Sequence, residues 1–142
     1  METVAFEKNI DLLRRAVQTL QSGDLDACVE LLTADFIANL PGLPGPLHGR
    51  EIWKSGAQAM REGFPDLRID VEDIFGAGDK VAVRLLFQGT HDGPFQGVPP
   101  THRRVAFTSI EIYRLVGDRI AEEWVSPDLM GLMGQISGPA SP

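Results

Sequence analysis

An α+β domain, with helices gathered in the N-terminal half and long antiparallel strands after them, is the fold class this sequence predicts. Apolar residues recur at three- and four-residue spacing in the first part of the chain, and from Leu67 the period drops to two. No strand-helix-strand alternation occurs, which sets aside a parallel α/β sheet.

Ile10, Leu13, Val17 and Leu20, with Arg14, Arg15 and Gln18 between them, predict an amphipathic helix from about Phe6 to Gln21, ended by Ser22-Gly23-Asp24. Asp24 can cap a second helix, Leu25 to Leu32, whose Leu25, Val29 and Leu32 again fall three or four apart. Phe36 to Leu40 reads as a strand, stopped by the Pro/Gly-rich loop Pro41 to Gly49. A third helix, Arg50 to Glu62, halts before Phe64-Pro65, because the residue ahead of a proline avoids the helical region.

Leu67, Ile69 and Val71 then alternate with Arg68, Asp70 and Glu72, and the turn Gly76-Ala77-Gly78-Asp79 joins this strand to Val81 to Phe87 as a hairpin. After the Gly/Pro-rich loop His91 to Thr101, a long strand from Arg104 to Leu115 turns at Gly117-Asp118 and returns as Ile120 to Val125. Asp128 can cap a last helix ending near Ile136. One domain over residues 1–137 and a flexible tail over 138–142 are expected.

Composition excludes several classes. The 142 residues suit one domain, and a net charge of -7, spread along the chain, repels phosphate backbones and argues against a nucleic-acid partner. No apolar run nears the roughly 20 residues of a membrane span, and the start METVAFEKNIDLL has no basic, cleavable leader, so no membrane partner and a cytoplasmic location are expected. Cys28, the single cysteine, reads as a small core residue. Three histidines without ligand spacing predict no metal site, and the phosphate-loop, dinucleotide, nucleophile-elbow and zincin motifs are missing.

Several residues are candidates for chemistry or binding. Strict alternation puts Glu111 on one strand face with Val105, Phe107, Ser109 and Tyr113, so it either enters an apolar pocket or sits at a rim facing solvent. His91 can shuttle a proton or donate to a ligand oxygen, or it can fix the Gly-rich loop. Asn39 can hold a substrate carbonyl or turn the chain. Phe36, Trp53, Phe87, Phe107, Tyr113 and Trp124 suit a polycyclic ligand, and the same residues suit a plain core. The loop His91 to Thr101 is either a lid or a stiff connector.

Five stretches, in order along the chain, carry a resemblance. They are His48-Gly49-Arg50-Glu51, Phe64-Pro65-Asp66-Leu67, Gly89-Thr90-His91-Asp92-Gly93, Gly97-Val98-Pro99-Pro100-Thr101 with Arg103-Arg104, and Ile120-Ala121-Glu122-Glu123-Trp124 with Pro127-Asp128 and Gly134-Gln135-Ile136. With them the chain resembles the SnoaL-like polyketide cyclases, in the superfamily shared with nuclear transport factor two and ketosteroid isomerase. The resemblance implies a cone of curved, mainly antiparallel sheet wrapped over three N-terminal helices, a homodimer through the outer sheet face, and catalysis without metal or organic cofactor. It implies Asp128 as the general base of an intramolecular aldol closure. The sequence departs from the family in having Glu111 on the penultimate strand and Glu123 on the last, where relatives have histidines.

Asp128 is thus either a base at the wall or mouth of an apolar pocket or the cap of the last helix. If Glu111 shares that cavity, like-charge proximity raises at least one pKa and supplies an acid and a base together. The expected activity is that of a cofactor-independent cyclase or isomerase on a polyketide-like hydrophobic carbonyl compound, a lyase or isomerase reaction using Asp128, Glu111 and His91. The alternatives are an epoxide hydrolase or epoxide-opening cyclase, and a dimeric small-molecule-binding module without catalysis.

Overall fold

The computed structural model describes residues 2–138, with side-chain surroundings from residue 7 onward. Helix α1 (Glu2–Ser22) turns Leu12 and Leu13 into the interior and leaves Arg14 and Arg15 in water, as the spacing predicts. Helix α2 (Leu25–Glu30) starts where Asp24 accepts a hydrogen bond from the Ala27 backbone N–H at 3.0 Å. It stops short of the expected Leu32, because Leu32 is already recruited into the sheet.

That residue opens strand β1 (Leu32–Asn39), which runs parallel to β6 (Arg119–Pro127) with Leu32 opposite Ile120. An irregularity between Leu32 and Ile37 leaves Ala34 and Asp35 exposed, which hid the strand's first half from pattern reading. A two-residue strand β2 (Leu47–His48) forms inside the expected loop and edges β1. Helix α3 (Arg50–Gly63) follows and ends one residue beyond the expected Glu62.

The remaining strands are β3 (Arg68–Ala77), β4 (Lys80–Thr90) and β5 (Arg104–Val116), and the chain ends in α4 (Leu129–Ser137). β3 extends past the expected Glu72 because a register irregularity between Val71 and Asp73 breaks the two-residue alternation. The six strands form one curved, unclosed sheet in the order β2-β1-β6-β5-β4-β3, antiparallel except at the β1–β6 seam. Residues 139–142, most of the expected tail, lie outside the described residues; Gly138 is tied by the Arg103 guanidinium, which donates to its carbonyl at 2.7 Å.

Two apolar clusters fill the space between helices and sheet. One gathers Phe64, Phe107, Leu132 and Ile136, the other Leu13, Phe36, Val81 and Leu115, and Tyr113 packs against both. The loop 91–103 is pinned rather than free. His91 N–H donates to Arg103 O at 2.9 Å, Gly93 N–H donates to Gly63 O at 3.1 Å, and the buried Phe95 ring lies 5.2 Å from that of Phe64. These are the contacts that the connector reading of this loop expects. No described helix is long and apolar enough to cross a membrane.

Candidate active site

A cavity of about 270 Å³ lies under the concave face of the sheet. Leu13, Val17 and Leu20 of α1 and Ile52, Trp53 and Met60 of α3 form its helical wall. Its sheet wall is made by inward residues of alternate positions: Phe36 and Ala38 on β1, Leu85 and Phe87 on β4, Phe107 on β5 and Val125 on β6. Phe87 and Phe107 stack with parallel rings 5.0 Å apart, giving one wall a flat aromatic surface.

Into this apolar lining project Glu111, Tyr113 and Glu123. Glu111 and Tyr113 share a face of β5 by alternation, and the β5–β6 register sets Glu123 directly across from Tyr113 and diagonal to Glu111. Such diagonal neighbours have Cα atoms about 7–8 Å apart, within reach of long side chains. Ser109 Oγ donates to Glu111 Oε2 at 2.7 Å, and the Tyr113 hydroxyl donates to Glu111 Oε1. The inward face of Glu111, one of its two possible orientations, is the one realised: the residue is 8% exposed.

The environment acts on these groups in one direction. Burial raises the Glu111 carboxyl above its ordinary value, against the hydrogen bonds from Tyr113 and Ser109, which favour the ionised form. Burial, and then the like charge of Glu111, pushes Glu123 up to about 8. Tyr113 is held well above the usual phenol range by burial first, with the Glu111 and Glu123 charges adding. Burial and like charge thus oppose ionisation of both carboxyl groups at once. The hydrogen bonds from Ser109 and Tyr113 favour the ionised form of Glu111, whereas burial and the Glu111 charge favour the neutral form of Glu123.

Phe36, Trp53, Phe87, Phe107, Tyr113 and Glu111 thus come together as expected. Four candidates do not join them. Asp128 is exposed, and its Oδ1 accepts the Gly131 N–H at 2.9 Å, the cap that a nine-residue helix with unsatisfied N-terminal N–H groups requires. The cap depends on the missing side chain of Gly131, where a Cβ would stand 2.2 Å from Asp128 Oδ2. The neighbouring Pro127, not Asp128, lines the cavity.

His91 is fully buried outside the cavity lining, against the Phe64 ring. Its Nδ1 accepts from the Thr101 backbone N–H at 3.2 Å and lies 2.9 Å from Thr101 Oγ1, which is the loop-fixing reading of this residue. Asn39 and Trp124 are paired on the strand face opposite the cavity, and the Asn39 amide donates to Glu122 Oε2 at 3.0 Å and Glu123 O at 2.9 Å. Alternation explains both misses, since Ala38 and Glu123 take the inward positions beside them. In the sequence Glu123 stands out only as a departure from the family pattern. The hairpin turn at Gly117-Asp118 and the alternation of Glu123 with Glu122 and Trp124 were the signals that point it inward.

A sequence model of the SnoaL-like polyketide cyclases matches residues 10–136. The chain is 26% identical over 136 residues to the aklanonic acid methyl ester cyclase DnrD of Streptomyces peucetius, covering 92% of this chain and 91% of that one. It is 30% identical over 125 residues to the nogalonic acid methyl ester cyclase of Streptomyces nogalater, covering 87% and 92%. A solved structure of a proposed SnoaL-like polyketide cyclase from Jannaschia sp. CCS1 superposes with a TM-score of 0.87 at 28% identity, covering 95% of each chain. A family match over nearly the whole chain, with a closely superposing structure, assigns this chain to the SnoaL-like polyketide cyclase family.

Proposed function

We propose that this chain closes a ring in a polyketide-like, hydrophobic carbonyl compound by general acid-base catalysis in the cavity, with no metal or organic cofactor. The observation that carries this reading is the pair of buried carboxyl groups, Glu111 and Glu123, facing an otherwise apolar cavity from neighbouring strands. Ring closure by aldol addition breaks a C–H bond next to one carbonyl, forms a C–C bond to a second carbonyl carbon, and converts that carbonyl to a hydroxyl. Glu111 carboxylate accepts the carbon-bound proton, and neutral Glu123 donates its proton to the oxygen on which charge develops. The proton then returns from Glu111 to Glu123, so that no net proton is consumed.

A second reading keeps Asp128 as the base that the resemblance implies. What favours it is Pro127, which lines the cavity one residue away. Asparagine caps helices as well as aspartate, so Asp128→Asn leaves α4 intact and isolates the chemistry. The test is the conversion of aklanonic acid methyl ester, nogalonic acid methyl ester and the corresponding free acids, followed by chromatography, since addition leaves the mass unchanged. Our reading expects Glu123→Gln and Glu111→Gln to lose about a hundredfold or more in kcat, the usual weight of a general acid or base. It expects Asp128→Asn to stay within a few-fold of wild type. Abolished turnover in Asp128→Asn with active Glu variants transfers the base to Asp128.

The outer sheet face carries Ile110, Ile112 and Val116, 59%, 39% and 54% exposed. A stripe of this kind on the face away from the cavity supports pairing of two copies, the homodimer that the resemblance implies.

A further inference from the structure

The cavity has one cationic residue among its lining, Arg61, in the last turn of α3. Its guanidinium lies over the α1–α2 turn, where Nη1 donates to Leu20 O at 3.1 Å. Gly23, at φ +86°, forms that turn, and a Cβ there would stand 3.0 Å from Nη2. The turn is shaped around the guanidinium by a residue with neither a side chain to block it nor a penalty for this backbone angle. The charge of Arg61 reaches the cavity: it opposes the rise of the Cys28 thiol, which burial first and Asp24 second push up to about 11, and Cys28 is itself a lining residue.

Among the described residues no carboxylate lies within ion-pair distance of Arg61, and of its donors only Nη1 has a protein partner. Arg61 is therefore a cation with donors to spare on the wall of an apolar space. The acidic pair faces the same space from the sheet, so the cavity is cationic at the three-helix junction and acidic on β5 and β6.

We propose that Arg61 recognises a carboxylate carried by the hydrophobic substrate, so that this cavity takes a free acid in preference to its ester. The inference rests on the reading of the cavity as the substrate site and adds the class of substrate. An arginine fork and a carboxylate make parallel charge-assisted bonds, which an ester cannot match because it carries no charge. With the carboxylate on Arg61, the rest of an acidic substrate extends toward Glu111 and Glu123, and like-charge repulsion keeps it from entering reversed. The substrate names of the cyclases reported above are methyl esters, so the preference separates this chain from them.

The test uses 2-naphthoate and methyl 2-naphthoate, two-ring probes that differ only in the charged group, titrated at pH 7 into the full chain. Calorimetry and the quenching of Trp53, which lines the cavity, read the affinity. The expected result is at least tenfold tighter binding of the naphthoate than of the ester by wild type, a preference abolished in Arg61→Gln. Arg61→Lys keeps the charge and serves as the folded control for loss of the Leu20 contact; it retains a preference for the acid. Equal affinities in wild type, or a preference that survives in Arg61→Gln, overturn the inference while leaving the cavity reading intact. Binding of neither probe overturns both.

Discussion

Glu123 is the residue on which the site turns, because its environment is in conflict with its charge. Its pKa rises from 4.5 to about 8 on folding, so between these values the folded state holds a proton that the unfolded state has released. The contribution of this group to stability is therefore fully present below about pH 4.5 and is lost as pH rises through about 8. At roughly 1.4 kcal/mol per pKa unit, the loss is on the order of a few kcal/mol. Melting temperatures measured from pH 5 to pH 9 should fall in wild type and fall less in Glu123→Gln. Asp128 shows how the same side chain type plays a different part when solvent reaches it. Asp128→Ala should cost about 1 kcal/mol through the lost cap, read by denaturant titration, whereas Asp128→Asn should cost little. The sequence alone could not separate these parts: an aspartate before a short helix satisfies both the cap and the family position, and only the Gly131 contact resolves which bond it makes.

At the level of elements, period and turn chemistry carried the reading far. All four helices and the long strands β3 to β6 were legible, since Gly117-Asp118 and Gly78-Asp79 mark hairpin turns and a period of two survives over most of each strand. What stayed hidden were the features whose pattern is broken by irregular pairing, namely the first half of β1 and the end of β3, and the two-residue β2, which owes its existence to β1. Inward and outward faces follow from alternation once the register is known: alternation groups Glu111 with apolar companions and leaves its direction open, and the pairing of β5 with β6 turns it to the cavity and Trp124 away from it. The loop between β4 and β5 owes its order to Phe95, 6% exposed against Phe64 and Gly63. Phe95→Ala should therefore cost about 3–5 kcal/mol and open residues 91–103 to limited proteolysis, with cleavage mapped by mass spectrometry.

The whole molecule is a shallow cone whose two sheet faces do different things. The concave face, roofed by α1 and α3, encloses the cavity, and the convex face bears Ile110, Ile112 and Val116. If two copies meet on the convex face, Ile110→Glu should shift the sedimentation coefficient from that of a dimer to that of a monomer while leaving circular dichroism unchanged. The fold places neither face's chemistry by itself, because many activities share this architecture. What the cavity can do chemically rests on two side chains, Glu111 and Glu123, set in an otherwise apolar lining. The central claim is that this cavity holds a carboxylic acid in its neutral form at physiological pH, ready to donate. Carbon-detected NMR titration of the glutamate side-chain carboxyls measures it directly and needs no substrate. One carboxyl is expected to titrate with a midpoint near 8 and to disappear from the spectrum of Glu123→Gln. Titration of every glutamate in the ordinary range near 4.3 would contradict it.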